Sequence, residues 1–189
     1  MRLRVALLLL LAATSGYAQS YFPEGVLRSD HRADLLDREN LSSVLREFGE
    51  ASLYSTKPDK STECYRFTWL RSFHPPVIVR VDVRESGTVE LTVKVGDHSQ
   101  PMRVVRNEAR KLSAHVAKQF RVDCEVTKFF DLPPAPSVDM MDGAAWLVEV
   151  VVDGRYHVAL ADSPETGPVR RIGMRFIELA IGGDFTPIY

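Results

Sequence analysis

The feature that most constrains this chain is a period-two alternation that runs, with two breaks, from Cys64 to Val95. Tyr65, Phe67 and Trp69 alternate with Arg66 and Thr68; Val77, Val79, Val81 and Val83 alternate with Arg80 and Asp82; Val89, Leu91, Val93 and Val95 alternate with Glu90, Thr92 and Lys94. Successive side chains on a strand point to opposite faces, so this spacing predicts three strands with one apolar and one wet face. A sheet wet on one side is antiparallel by preference, because parallel sheets are covered on both faces and read as continuous apolar runs. Ser86-Gly87 supplies a turn residue that tolerates positive φ. Pro75-Pro76 lacks two backbone donors, which puts it outside the central ladder and breaks the chain at His74-Pro75-Pro76. A meander is expected.

The flanks extend this sheet. Leu41, Val44, Leu45 and Phe48 follow helical spacing, with Asn40 placed to cap the start and Gly49 the end, while residues 19–37 read as an extended arm and 55–63 as a polar loop. Met102, Val104 and Val105 begin a fourth, arginine-rich strand, and Ser113 caps a helix carrying Val116, Ala117, Phe120 and Cys124 on one side. Pro133, Pro134 and Pro136 then stop regular structure, making 133–142 a candidate mobile loop. Asp153-Gly154 between two apolar runs is a strong hairpin signal, and the first run is apolar on both faces apart from Glu149, as an interior strand requires. Pro168 opens a last helix that Gly182-Gly183 ends. The expected fold is α+β, a single antiparallel sheet of about six strands with helices packed on one face, and with Trp69 and Trp146 in one core beneath them.

At the start of the chain, Arg2 and Arg4 precede the apolar run from Val5 to Ala13, and Gly16 and Ala18 stand at minus three and minus one of a cut before Gln19. This pattern predicts a signal peptide over 1–18, and the apolar run is far short of the roughly 20 residues that span a bilayer. The division is then 1–18 signal peptide, 19–62 arm and helix, and 63–189 an α+β domain, with 19–189 one folded unit. A periplasmic or secreted location follows, with no membrane association after cleavage. Two cysteines in an exported chain predict a bridge, Cys64 to Cys124. With 24 basic and 25 acidic residues, nothing points to nucleic acid.

No catalytic or cofactor motif stands out. His31, His74, His98, His115 and His157 show none of the short spacings that gather metal ligands, no serine or cysteine sits in a nucleophile motif, and no glycine-rich phosphate loop is present, so no metal and no cofactor is expected. Among apolar strand ends, Arg66, Arg71, His74, Glu149, Tyr156 and His157 are the candidate site residues: the guanidiniums offer bidentate forks to an anionic group, and a histidine titrates near neutrality. The alternative is structural, with Arg66 and Glu149 a cross-sheet pair and the histidines edge residues.

The stretches Tyr65-Arg66-Phe67-Thr68-Trp69-Leu70-Arg71-Ser72-Phe73-His74, Pro76-Val77, Asp142-Gly143-Ala144-Ala145-Trp146 and Gly154-Arg155-Tyr156-His157, with Glu149, resemble a group of uncharacterised exported proteins of Gram-negative bacteria over about residues 65–180. The resemblance implies a shared fold and export, and carries over no functional residue. Two functions remain open: a non-enzymatic binding module, inhibitor- or immunity-like, whose partner is another protein, and a hydrolase-type enzyme with a site near His74 and His157. The oligomeric state is not legible.

Overall fold

The computed structural model describes residues 20–56, 63–137 and 142–181, and the expected signal peptide and the Gly182-Gly183 helix stop lie outside them. The alternating stretches form β1 (Glu63–Arg71), β2 (His74–Val83) and β3 (Val89–Gly96), followed by β4 (Val104–Leu112) and, later, the hairpin β5 (Ala144–Val152) and β6 (Arg155–Asp162). All pairings are antiparallel and the sheet order is β4-β3-β2-β1-β5-β6, so β5 is interior. The β5–β6 turn has the positive φ at both central residues that a type I′ turn needs, 51° at Asp153 and 72° at Gly154. Pro75 and Pro76 lie within β2, but the β2–β3 ladder begins only at Val77 and the β1–β2 register shifts between Trp69 and Arg71. The prolines therefore occupy the strand end, where their missing donors cost no interior ladder bond.

One face of the sheet is the expected apolar core. Helices α2 (Ala114–Val126) and α3 (Pro168–Ile181) cover it, α2 capped by Ser113, whose hydroxyl accepts from the His115 amide. Tyr65 stacks on Phe120 at 4.9 Å, Phe120 meets Phe176 at 4.6 Å, and Phe176 stacks on Phe67 at 5.7 Å. Trp69 and Trp146 lie across the β1–β5 ladder from each other with rings 5.6 Å apart, both buried. The two indoles thus share one core, as the alternation implied. Helix α3 comes close because Gly173 faces Trp146: a Cβ there would sit 2.5 Å from Trp146 Cε3.

The opposite face is not wet. Tyr21, Phe22 and Leu27 of the arm and Leu41, Val44, Leu45 and Phe48 form a second core against Ile78, Leu147, Val158 and Leu160. The helix there, α1 (His31–Glu47), starts ten residues before the Leu41 periodicity, inside the segment read as an extended arm. Its start is set by polar capping that apolar spacing cannot show. Asp30 Oδ1 accepts from the Ala33 amide at 2.8 Å, and the buried Asp34 carboxylate accepts from the amides of Gly25, Leu27 and Arg28. Asn40 lies inside the helix, while Gly49 follows its last turn at φ 63° as expected. The arm also ties down the start of the proline-rich loop, since Ser29 donates to the Ala135 carbonyl and Ala135 to that of Leu27, both at 2.9 Å. Residues 133–137 are therefore anchored, and 138–141 lie outside the described residues.

The second layer also removes the expected disulfide. Cys64 and Cys124 are both free and buried. Cys64 precedes Tyr65 on β1, so its side chain points to the α1 face, where it packs with Leu53 and Val151, whereas Cys124 belongs to the aromatic core under α2. The sheet stands between the two sulfurs. Burial pushes both thiols up, Cys124 to about 12, which leaves neither as a reactive thiolate.

Candidate functional site

The alternation that orients β1 also divides the six sequence candidates. Arg66 and Glu149 face each other across the β1–β5 ladder on the α1 side, both with 0% exposure, and Arg66 Nε donates to Glu149 Oε2 at 2.7 Å. Tyr156 joins them, its hydroxyl donating to Glu149 Oε1 at 3.1 Å. Glu50, from the loop after α1, completes the cluster. It lies 3.5 Å from Arg66 Nη1 and 2.7 Å from Lys94 Nζ, and it accepts from Arg80, which also donates to Asp82 at 2.8 Å. Arg66 further donates to the Ala51 carbonyl, and Lys94 to that of Phe48, each at 2.7 Å.

Three cations therefore meet three carboxylates between the sheet and the chain that follows α1. Burial pushes Glu149 above the usual carboxylate range, against the opposing pull of Arg66 and Tyr156. For Glu50 burial pushes the same way, but Arg80, Lys94 and Arg66 outweigh it and hold the carboxyl below its usual range. Charges satisfied this fully by one another fix the strand to the loop and present nothing to a ligand. Sequence reasoning named three members, Arg66, Glu149 and Tyr156, and missed Glu50, Arg80, Lys94 and Asp82, since nothing in the local pattern around Glu50 marks it as buried.

His157 is on the other face. It pairs with Val150 and sits edge-on to Phe129, with ring centroids 5.3 Å apart, and burial lowers its pKa, so it is a neutral packing residue. His74 is remote from it. Arg71 pairs with both His74 and Ala144, whereas His157 pairs with Val150. Six positions of β5, from 144 to 150, separate those levels, roughly 20 Å at about 3.3 Å per residue. The structure does not bring the two histidines to one site.

Arg71 and His74 flank the two-residue tip of the β1–β2 hairpin, Ser72-Phe73. The tip is braced: the Ser72 amide and hydroxyl both donate to the Gly143 carbonyl, at 3.0 and 3.1 Å, and next to it the Ala144 amide donates to Ser163 Oγ at 2.8 Å. On this support Phe73 is 67% exposed, the most exposed of the chain's large hydrophobic residues among those described. Hollows open on both sides of it. One of 740 Å³ runs from Arg71–His74 to Asp142, Glu165 and Arg170, and one of 590 Å³ runs from the same tip to Leu70, Pro101 and His98. Arg71 is held over the Trp69 ring at 4.1 Å, and its Nη2 donates to the Pro75 carbonyl at 3.1 Å. Phe73, Arg170, Asp142 and Glu165 were not among the candidates; the available signal was a large apolar residue in a two-residue reversal, where alternation gives it no buried face.

Among the described residues no group of three or more histidine, cysteine or acidic side chains is placed to hold a metal ion, and no helix is long and apolar enough to cross a membrane. Neither a family model nor a curated protein matches the chain.

Proposed function

We propose that this chain is a non-enzymatic binding module, exported to the periplasm or beyond, that recognises another protein through the braced tip of the β1–β2 hairpin. The observation that carries this reading is Phe73, a fully apolar ring held out in solvent on a rigid support between two hollows. Exposed single hydrophobic residues are common, but interface energy concentrates on large anchors that are set among pockets and pre-ordered, because an ordered anchor loses little entropy on binding. The separation of His74 from His157 along the sheet speaks against a hydrolase-type site shared by those two residues and so favours the binding reading. Export rests on the basic start, short apolar run and small-residue cut of residues 1–18.

A photo-reactive amino acid at position 73, compared with one at Val105 on the outer strand β4, tests this in cells of the native host. Val105 is also exposed, at 57%. A discrete cross-linked protein from position 73 and not from 105 is the expected result. Equal cross-linking at both positions, or none at 73, contradicts the reading. The mass of the protein recovered outside the cytoplasm tests export: a chain beginning at Gln19 is expected, and an intact Met1 is not.

A further inference from the structure

In the sheet order β4 stands last, with β3 on one side and, among the described residues, no strand on the other. The phase of the ladder decides which of its backbone groups face outward. The Arg84 amide donates to the Thr88 carbonyl at 3.0 Å, and the Asp97 amide to that of Arg103 at 2.7 Å. Backbone groups of successive residues turn to alternate sides, so Val89, Leu91, Val93 and Val95 bond towards β4, and their partners Leu112, Arg110, Glu108 and Arg106 bond back. The amides and carbonyls of Asn107, Ala109 and Lys111 are left pointing away from the sheet. Edge strands are commonly blunted by a bulge or by charge. Here the irregularity lies at one end, beside Val105, and the pairing from Arg106 to Leu112 is regular. The exposed charges along that stretch are of both signs, with Glu108 two residues from Arg110. A row of one sign would repel a second copy, whereas this row matches a copy run antiparallel to it.

From this we infer that β4 pairs antiparallel with β4 of a second copy of this chain, about a two-fold axis at Ala109, and continues the sheet across the dimer. The neighbouring registers fail on the same observations. Centring on Glu108 sets residues already bonded to β3 against each other, and carboxylate against carboxylate. Centring on Asn107 runs the new ladder into the irregularity at Val105 and puts Arg103 opposite Lys111. Centring on Ala109 joins Asn107 to Lys111 through main-chain bonds and leaves only a methyl at the axis. It also sets Glu108 opposite Arg110 twice, in the non-hydrogen-bonded pairs whose Cα atoms lie about 4.5 Å apart and whose side chains are closest. Arg110 donates to the Leu179 carbonyl at 2.7 Å through Nη2, one of a guanidinium's several donors. Main-chain pairing supplies the affinity and the charges select the register, so the contact belongs to the small, weak class, with a Kd of about 10 µM to 1 mM. Since β3 separates β4 from the β1–β2 hairpin, and Val105 lies outside the paired stretch, this inference is independent of the role proposed for Phe73.

Sedimentation of the purified protein between about 5 µM and about 1 mM should show a monomer passing into a dimer. Glu108→Lys and Arg110→Glu each set like charges opposite one another twice, and each should self-associate at least about tenfold more weakly at unchanged melting temperature. An equimolar mixture of the two variants should dimerise about as well as the wild type, because one copy then carries two positive and the other two negative charges across the axis. Cysteine scanning fixes the register without touching the charges. Under mild oxidation Ala109→Cys should bridge to itself, while Asn107→Cys, four residues or roughly 14 Å from its own equivalent, should bridge only to Lys111→Cys in a mixture. The native Cys64 and Cys124 are buried and do not compete. A monomer at every concentration, a dimer that Glu108→Lys leaves intact, a mixture no tighter than its parts, or Asn107→Cys bridging to itself would overturn the inference.

Discussion

The two faces of one sheet are held by different physics. Under α2 and α3 the contacts are aromatic: Tyr65, Phe67, Trp69 and Trp146 meet Phe120 and Phe176. Under the arm and α1, apolar packing gives way towards Cys64 to the cluster of Arg66, Arg80, Lys94, Glu50, Glu149 and Asp82. An apolar face gains from each buried atom, but a charged face stays stable only while every charge keeps its partner. The same strand, β1, contributes to both through alternate residues. The contrast teaches that a sheet covered on both sides has two structural faces, which is why the proposed recognition is placed at the end of the sheet, at Ser72-Phe73.

The largest effects come from breaking either face at its centre. Trp146→Ala should cost about 3–5 kcal/mol, as truncation of a large core aromatic does, and that is much of the roughly 5–15 kcal/mol of a typical domain. Glu149→Leu should cost a similar amount, about 3–5 kcal/mol, by leaving Arg66 buried without its main partner. The faces then part company on rescue. Replacing both partners, Arg66→Met with Glu149→Leu, should recover most of the loss, because two apolar residues need no pairing. No second substitution should restore Trp146→Ala comparably. Urea unfolding of the singles and the double checks this; a double as unstable as the sum of its parts would remove the distinction between the faces.

Gly173→Ala sharpens the description of the aromatic face. The added methyl would lie 2.5 Å from a carbon of Trp146, so α3 or the indole must move, and overpacking of this kind costs about 1–3 kcal/mol. A more stable variant, which the better helix propensity of alanine would give if there were room, would contradict the packing.

Acid separates the faces more gently. Glu50 is held below its usual pKa by Arg80, Lys94 and Arg66 against the burial that raises it, and Asp123 by Arg175 and Arg171 in the same way. Each contributes stability that is complete above the unfolded pKa, near 4, and is lost as pH falls through the lower folded value. Glu149 is raised by burial and has the opposite sign: it costs stability above its folded pKa, and that cost is relieved as pH falls from the raised folded value towards the unfolded one. The wild type should therefore lose stability below about pH 4 after a shallow rise on approach. In Glu149→Gln the rise should vanish and the acid loss remain. Melting temperatures across pH 3–7 measure both limbs, and an unchanged approach in the variant would contradict the assignment.

How much of this was legible beforehand follows from what each signal measures. Alternation at Tyr65-Phe67-Trp69 and at Val89-Leu91-Val93-Val95 reports which residues share a face, and it yielded the strands, the antiparallel sheet and the common core of the two tryptophans. It does not report whether the polar face is wet. Arg66, Thr68 and Lys94 read as exposed and are buried, because α1 and the arm cover them. The start of α1 was hidden for a related reason: Asp30 and Asp34 fix it through backbone amides, with no apolar period. The disulfide expectation could have been corrected from the sequence alone. Cys64 is out of phase with Tyr65, Phe67 and Trp69, so it cannot reach a cysteine on a helix over their face. Of the candidate site, Arg71 and His74 were found from their polar chemistry at a strand end, whereas Phe73 and Arg170 meet them only through the tertiary fold.

The most direct test of the account is Phe73→Asp, read for stability and for partner capture together. The side chain makes no core contact, so the unfolding free energy should stay within about 0.5 kcal/mol of the wild type, the usual range for a surface change, while the protein cross-linked or co-purified by the wild type is lost. The matched Val105→Asp change on β4 should leave both quantities unaltered. Capture that survives Phe73→Asp in a folded protein, or that disappears equally in Val105→Asp, would contradict the claim that this fold exists to hold out the tip of its first hairpin.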